Sequence, residues 1–307
     1  SDSEVDAIMV LNSGSHAEVV VSALKSGLNV FCEKPLAYTK RDMNKIENAL
    51  KSSGKQLMIG YMKTFDNAVI AAKNTIKSRP RTVDVLVLHP SEDSQLVTSE
   101  ISVDMPASTE ALNKIFAKIK SGIQIEALGE NGAKSFGNLY TDIVLGSVIH
   151  EFSVLRALDV HITEVDFVDR WPSAGNSEAI IIHARTADGV RVTIRWFYLD
   201  QYPAYQEEIR WINEEEGHHI IFPSPYILRI PTQLISTRRH GVNHEVTRTN
   251  SYSASFENEL VAFHSLVLTG KQEYDPISDG YEDLEIAQMI AKKIAEREGT
   301  HLGGDIV

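Results

Sequence analysis

Three places along the chain set polar or charged side chains directly after an apolar run. They are Asn12-Ser13 after Val5–Leu11, Glu33-Lys34-Pro35 after Asn29–Cys32, and Tyr61-Met62-Lys63 after residues 56–60. A lysine at such a place is a fixed cation, and partial burial can draw its pKa towards neutrality for proton transfer. Other chemistry-bearing residues read more plainly. Cys32 is a small apolar side chain within a strand rather than a nucleophile. His150-Glu151 is not a zincin motif, because Val154 stands where the second histidine belongs. His218-His219, and His240 with His244, read as surface histidines of a sheet with no Cys or carboxylate at ligand spacing, so no metal is expected. Gly129–Ser135 fails as a phosphate loop, since Ala133 replaces its second glycine.

The elements that must hold these residues follow from periodicity. Val5–Leu11 is nearly continuously apolar, as a strand covered on both faces is. Residues 12–15 turn the chain, and His16–Ser26 reads as a helix with Val19, Val20, Ala23 and Leu24 inward and Gly27 as its stop. Asn29–Cys32 is a second strand. Thr39 with Asp42 resembles a capping box for a helix running to Gly54, and Gln56–Tyr61 is a third strand. The order β-α-β-α-β with short links predicts a parallel sheet wound with helices. Ligands bind such sheets beyond the carboxyl ends of the strands, so all three polar sites fall on one rim.

Beyond a helix opening at Asp66 the pattern changes. Thr82–His89 reads as a strand, and residues 91–147 mix loops with helix such as Thr109–Lys120. From Val165 the reading is antiparallel: a hairpin of Ala179–Arg185 and Val190–Tyr198, then strands at Tyr205–Ile212 and His218–Phe222. Trp171, Trp196 and Trp211 fall on strands and read as sheet packing. Helices near Phe256–Leu268 and Tyr281–Glu296 close the chain. The fold class expected is therefore α/β: a partial Rossmann-type parallel sheet in residues 1–66, then an α+β domain with an open, mostly antiparallel sheet in residues 67–307.

Composition excludes several functions. The 30 basic and 42 acidic residues leave a formal charge of −12, with no basic block to hold nucleic acid. No apolar run approaches a membrane span, the first residues show no signal peptide, and one cysteine among 307 residues fits a reducing cytosol. A cytoplasmic location is expected.

Together the segments resemble the glucose-fructose oxidoreductase / inositol dehydrogenase (Gfo/Idh/MocA) family. The strand-helix-strand ending ALKSGLNVFCEKPLA (23–37), the stretch MIGYMKTFDNAVIAAK (58–73), the helix SVIHEFSVLRAL (147–158) and two closing helices (255–270 and 278–296) occur in the family's order. The resemblance implies NAD(P)-dependent oxidoreduction of the CH–OH group of a sugar or polyol. It also implies that Lys34 lies beside the nicotinamide and the reacting carbon, that Pro35 follows a cis peptide, and that His150 is the catalytic histidine. Asn12, Ser13, His16, Glu33, Lys34 and Pro35 would contact NAD or NADP, Tyr61 and Lys63 the substrate. Dimers or tetramers would form through the open sheet.

Two departures stand out. None of the 18 glycines stand two apart, so the family's glycine-rich phosphate loop, due two βα units before Val5, is absent. The expectation is a chain lacking its natural amino-terminal portion, or one with another cover on that sheet edge, and weak NAD(P) binding by these 307 residues. Where the family reads Asp-x-Gly-x-His-x-x-Asp, this chain has Gly146, Val148, His150 and Ser153 at the first acid, the glycine, the histidine and the last acid. That leaves two rivals to the dehydrogenase: a catalytically silent relative acting as a sugar or nucleotide sensor, and a fragment that binds no cofactor.

Overall fold

The computed structural model describes residues 4–91, 110–172, 178–225, 227, 230–272 and 274–307. The chain forms two compact units, each discontinuous in sequence. One comprises Ser1–Tyr61, Met105–Phe152 and Glu259–Val307, the other Met62–Asp104 and Ser153–Asn258.

The first unit is built on a parallel sheet of β1 (Ala7–Val10), β2 (Asn29–Glu33) and β3 (Leu57–Gly60), in that order. Val10 pairs with Cys32 and Cys32 with Ile59, so the strands end level and their following loops share one rim. Helices α1 (Ala17–Lys25) and α2 (Lys40–Ser53) make the crossovers. Thr39 caps α2 by accepting from the Asp42 N–H at 3.2 Å, and Gly54 ends it at φ +64°. The central strand β2 is buried, with Phe31 edge-on to Phe263 at 5.6 Å. β1 is covered less than its apolar run implies: Met9 is 43% exposed, and Val19 of α1, expected inward, is 42% exposed. β1 is an edge strand, so part of its surface has nothing to pack against among the described residues.

Helix α4 (Glu110–Asn138) continues well past the expected Lys120, while Thr109 lies outside the described residues. It is kinked at Gly129, which adopts φ +73°. A Cβ there would stand 2.8 Å from the backbone of Gly303, whose N–H donates to the Leu128 carbonyl at 2.9 Å. A π-helical segment, Leu139–Val148, follows directly and leads into α5 (Ile149–Ala157). Helices α6 (Ser255–Thr269) and α7 (Pro276–Glu298) correspond to the closing pair read from the sequence.

The second unit is an eight-stranded sheet of β4 (Thr82–His89), β5 (Glu164–Pro172), β6 (Glu178–Arg185), β7 (Arg191–Tyr198), β8 (Gln206–Ile212), β9 (Glu216–Phe222), β10 (Thr232–His240) and β11 (Asn243–Ser251), ordered β11-β10-β9-β8-β4-β7-β6-β5. Within this sheet, among the described residues, β4 and β7 pair parallel and the other neighbours antiparallel. Helix α3 (Asn67–Thr75), capped by Asp66, packs against β9–β11. Alternation puts Val83, Val85, Ile194, Trp196, Ile209 and Trp211 in the core. On the opposite face Arg195 pairs with Asp84 and Arg210 with Glu208, whose carboxylate also stands 2.8 Å from His219 Nε2. His218 is a correction to the surface reading: it is 3% exposed, set against Trp211 and 2.9 Å from the Ser236 hydroxyl. Among the described residues no helix is long and apolar enough to cross a membrane.

Candidate functional site

The carboxyl ends of β1 and β2 meet at His16, whose buried ring stands at the start of α1. Its Nδ1 is 2.8 Å from the Pro35 carbonyl and its Nε2 2.8 Å from the Asn12 carbonyl. A carbonyl only accepts, so each contact is a hydrogen bond only when the ring nitrogen facing it carries hydrogen, and a neutral ring donates to one of the two. Asn12 steadies its own turn, its amide donating to the carbonyls of Ser13 at 3.2 Å and Ser15 at 3.3 Å. The Lys34-Pro35 peptide is cis. Glu33 lies over Gly60, where a Cβ would come within 3.3 Å of its Oε1. Burial raises the Glu33 pKa against the opposing pull of Lys34. Glu259, 2% exposed on α6, is pushed up to about 8 by burial and by the charge of Glu33. The Cys32 thiol is buried and its pKa driven upward, which leaves it inert as a nucleophile.

The Lys34 ammonium donates to the backbone carbonyl of Gly146 in the π segment. Around this contact opens a cavity of about 330 Å³, within the size range of ligand pockets. All six residues expected to hold cofactor line it: Asn12, Ser13, His16, Glu33, Lys34 and Pro35. Thr141, Asp142 and Gly146 of the π segment form its helical wall, and Tyr38 lines it as well. A second cavity of about 340 Å³ shares Ser13, Tyr38 and Asp142 and adds the apolar Phe116, Ile119 and Ile123 of α4. Burial and the nearby charge of Asp142 push the Tyr38 phenol up to about 12, so it stays a neutral donor.

Three sequence-derived candidates are not among the residues lining the cavity. His150 is half-buried at the start of α5, directly after the π segment, and is not among the residues lining the cavity. Tyr61 is buried and its hydroxyl donates to the Asp283 carboxylate of α7. Lys63 belongs to the second unit: its buried ammonium pairs with Glu207 at 2.6 Å and lies 5.5 Å from the Phe222 ring centroid. Asp142, Thr141, Tyr38 and Glu259 were not singled out from the sequence. Asp142 stands eight residues before His150 and outside any spacing that marks a catalytic pair.

The residues present fit a nicotinamide group. A cation at a parallel strand end, the Ser13-Gly14 loop and a neutral phenol line a cavity of about 330 Å³, large enough for the ring. Such a set can stabilise negative charge forming on an alcohol oxygen while hydride leaves the same carbon.

Residues 1–61 match the model of the "Oxidoreductase family, NAD-binding Rossmann fold". An inositol 2-dehydrogenase of Azotobacter vinelandii is 35% identical over 284 residues, covering 90% of this chain and 71% of its own length. One from Burkholderia lata is 26% identical over 287 residues, covering 89% and 71%. Among solved structures, a scyllo-inositol dehydrogenase from Lactobacillus casei with bound NAD(H) and scyllo-inositol superposes with a TM-score of 0.63 at 16% identity, covering 98% of this chain and 81% of that one. The parallel βα core ending on Glu33-Lys34-Pro35, the open antiparallel sheet and this extended identity lead to one conclusion: the chain belongs to the Gfo/Idh/MocA oxidoreductase family.

Proposed function

We propose that this protein oxidises a hydroxyl of a cyclic polyol or sugar, of the inositol kind, with NAD or NADP as hydride acceptor. The observation that carries the reading is the Lys34 ammonium, presented at the end of β2 to a cavity rimmed by the β1 loop. The 35% identity to an inositol 2-dehydrogenase supports the substrate class.

A bound NAD(P) would supply the acceptor for the hydride that leaves the carbinol carbon. Lys34 stabilises the oxygen as its proton departs, and His150 is the proposed proton acceptor. Asn12, Ser13, His16, Glu33 and Pro35 would hold the nicotinamide end, while Tyr61 and Lys63 are proposed substrate-side residues. The alternating charges on the open face of the eight-stranded sheet suit self-pairing, so a homodimer or homotetramer through that face belongs to the proposal. A cytoplasmic enzyme without nucleic-acid or membrane partners fits the acidic composition.

The test is reduction of NAD and NADP, each up to millimolar concentration, with inositols and common aldoses as substrates. Turnover of a polyol that Lys34→Met abolishes supports the reading. No turnover with any of these substrates would overturn it.

A further inference from the structure

We infer that Asp142 is the residue that selects substrate in this cavity, by accepting hydrogen bonds from a hydroxyl next to the reacting one. The inference rests on the dehydrogenase reading above. The aligned position of the family's acid holds Gly146, which presents a carbonyl to Lys34 and no side chain to the cavity. One turn earlier, on the same wall, Asp142 supplies a carboxylate. The cavity therefore carries a cation on its strand-end wall and an anion on its helical wall. That polarity matches a vicinal diol, in which one oxygen gains negative charge and its neighbour keeps a proton to donate.

The carboxylate is held ready rather than locked. One oxygen, Oδ1, stands 2.9 Å from the Thr141 hydroxyl, whose single proton can go to it or to the Gly137 carbonyl at 3.1 Å. The other, Oδ2, pairs with Lys120 of α4, and the two side chains are 51% and 41% exposed. A pair so exposed is screened by solvent and weak, so a hydroxyl can replace the ammonium at little cost. Lys120 thus acts as a removable counter-ion, and Asp142 as a binding residue that does not take part in the chemistry.

The experiment measures kcat and KM with inositol and with a deoxy analogue lacking the hydroxyl next to the oxidised carbon, in the parent, Asp142→Asn, Asp142→Ala and Lys120→Met. Expected are a KM for inositol raised at least tenfold in Asp142→Ala and several-fold in Asp142→Asn, kcat within threefold of the parent, and no change in KM for NAD(P). With the deoxy analogue the parent and the Asp142 variants converge. Lys120→Met leaves or lowers KM for inositol. An inositol KM unchanged in both Asp142 variants, in an enzyme that turns over inositol, would overturn the assignment while leaving the dehydrogenase standing. A parent inactive on every polyol overturns both. Thermal melts of the variants separate misfolding from lost binding, and a properly folded Asp142→Asn with equal losses on both substrates counts against the assignment.

Discussion

The Lys34 ammonium and the Gly146 carbonyl, 112 residues apart in sequence, are joined by a hydrogen bond across the cavity wall. A neutral carbonyl accepts without cancelling the lysine's charge, so the cation stays directed at the cavity. Replacing Lys34 by methionine keeps the stem and removes the charge. We expect kcat to fall by a factor of about 100 to 1000, as loss of one charge-stabilising donor does, with KM for NAD(P) little altered. Near-parental kcat in Lys34→Met would remove the residue from the mechanism.

His150 must be neutral to accept a proton, so oxidation should quicken with rising pH on the acid side of the profile. In His150→Asn that limb should flatten and kcat should fall at least tenfold. A pH profile of kcat/KM superimposable on the parent's, at equal rate, would make the histidine a packing residue.

Glu259 gives a stability test independent of turnover. Its folded pKa, pushed up to about 8, lies above the ordinary carboxylate value of 4.5, so the fold holds its proton more tightly than the unfolded chain. The stability tied to that proton is complete below pH 4.5 and is lost as pH rises through 8. At about 1.4 kcal/mol per pH unit, the loss by pH 9 amounts to a few kcal/mol. Glu259→Gln should therefore match the parent in urea unfolding at pH 5 and exceed it at pH 9. Equal stabilities at pH 9 would show that the carboxyl ionises in the fold at little cost.

Glu216 has the opposite sign. Burial raises its pKa, but Arg238 and the backbone N–H groups of Lys77 and Ser78 outweigh this and bring it to about 2. Its contribution is present above pH 4.5 and disappears as pH falls towards 2. Glu216→Gln should cost on the order of 1–3 kcal/mol at pH 7 and progressively less below pH 4, read by unfolding at several pH values. A cost that does not shrink on acidification would locate the effect in packing rather than charge.

The parallel core was legible because its signals are local and redundant. Val30–Cys32 and Leu57–Ile59 are apolar throughout, and the caps at Thr39 and Asp66 are short-range hydrogen bonds that spacing alone betrays. β10 and β11 were illegible for the opposite reason. Their residues 232–251 are largely polar, most of β11 is exposed, and ladder pairing rather than an apolar face defines it. Within the site, Lys34 was legible from its strand and proline. Asp142 was not, because changing from α to π winding leaves the apolar composition of residues 139–148 untouched.

The π segment has a consequence for how such helices diverge. Its rings close from residue i to i+5, so each turn carries more residues than an α turn over the same arc. Insertion or removal of one residue between Leu139 and Val148 can therefore be absorbed by a change of winding, without breaking the helix or moving His150 from its place after it. Side chains upstream would swing around the axis while those downstream stayed put. Two homologous helices aligned without gaps on their histidines can then show different side chains to the same wall, and a mutation counted as loss of an acid at Gly146 can coexist with a carboxylate kept in the cavity by Asp142.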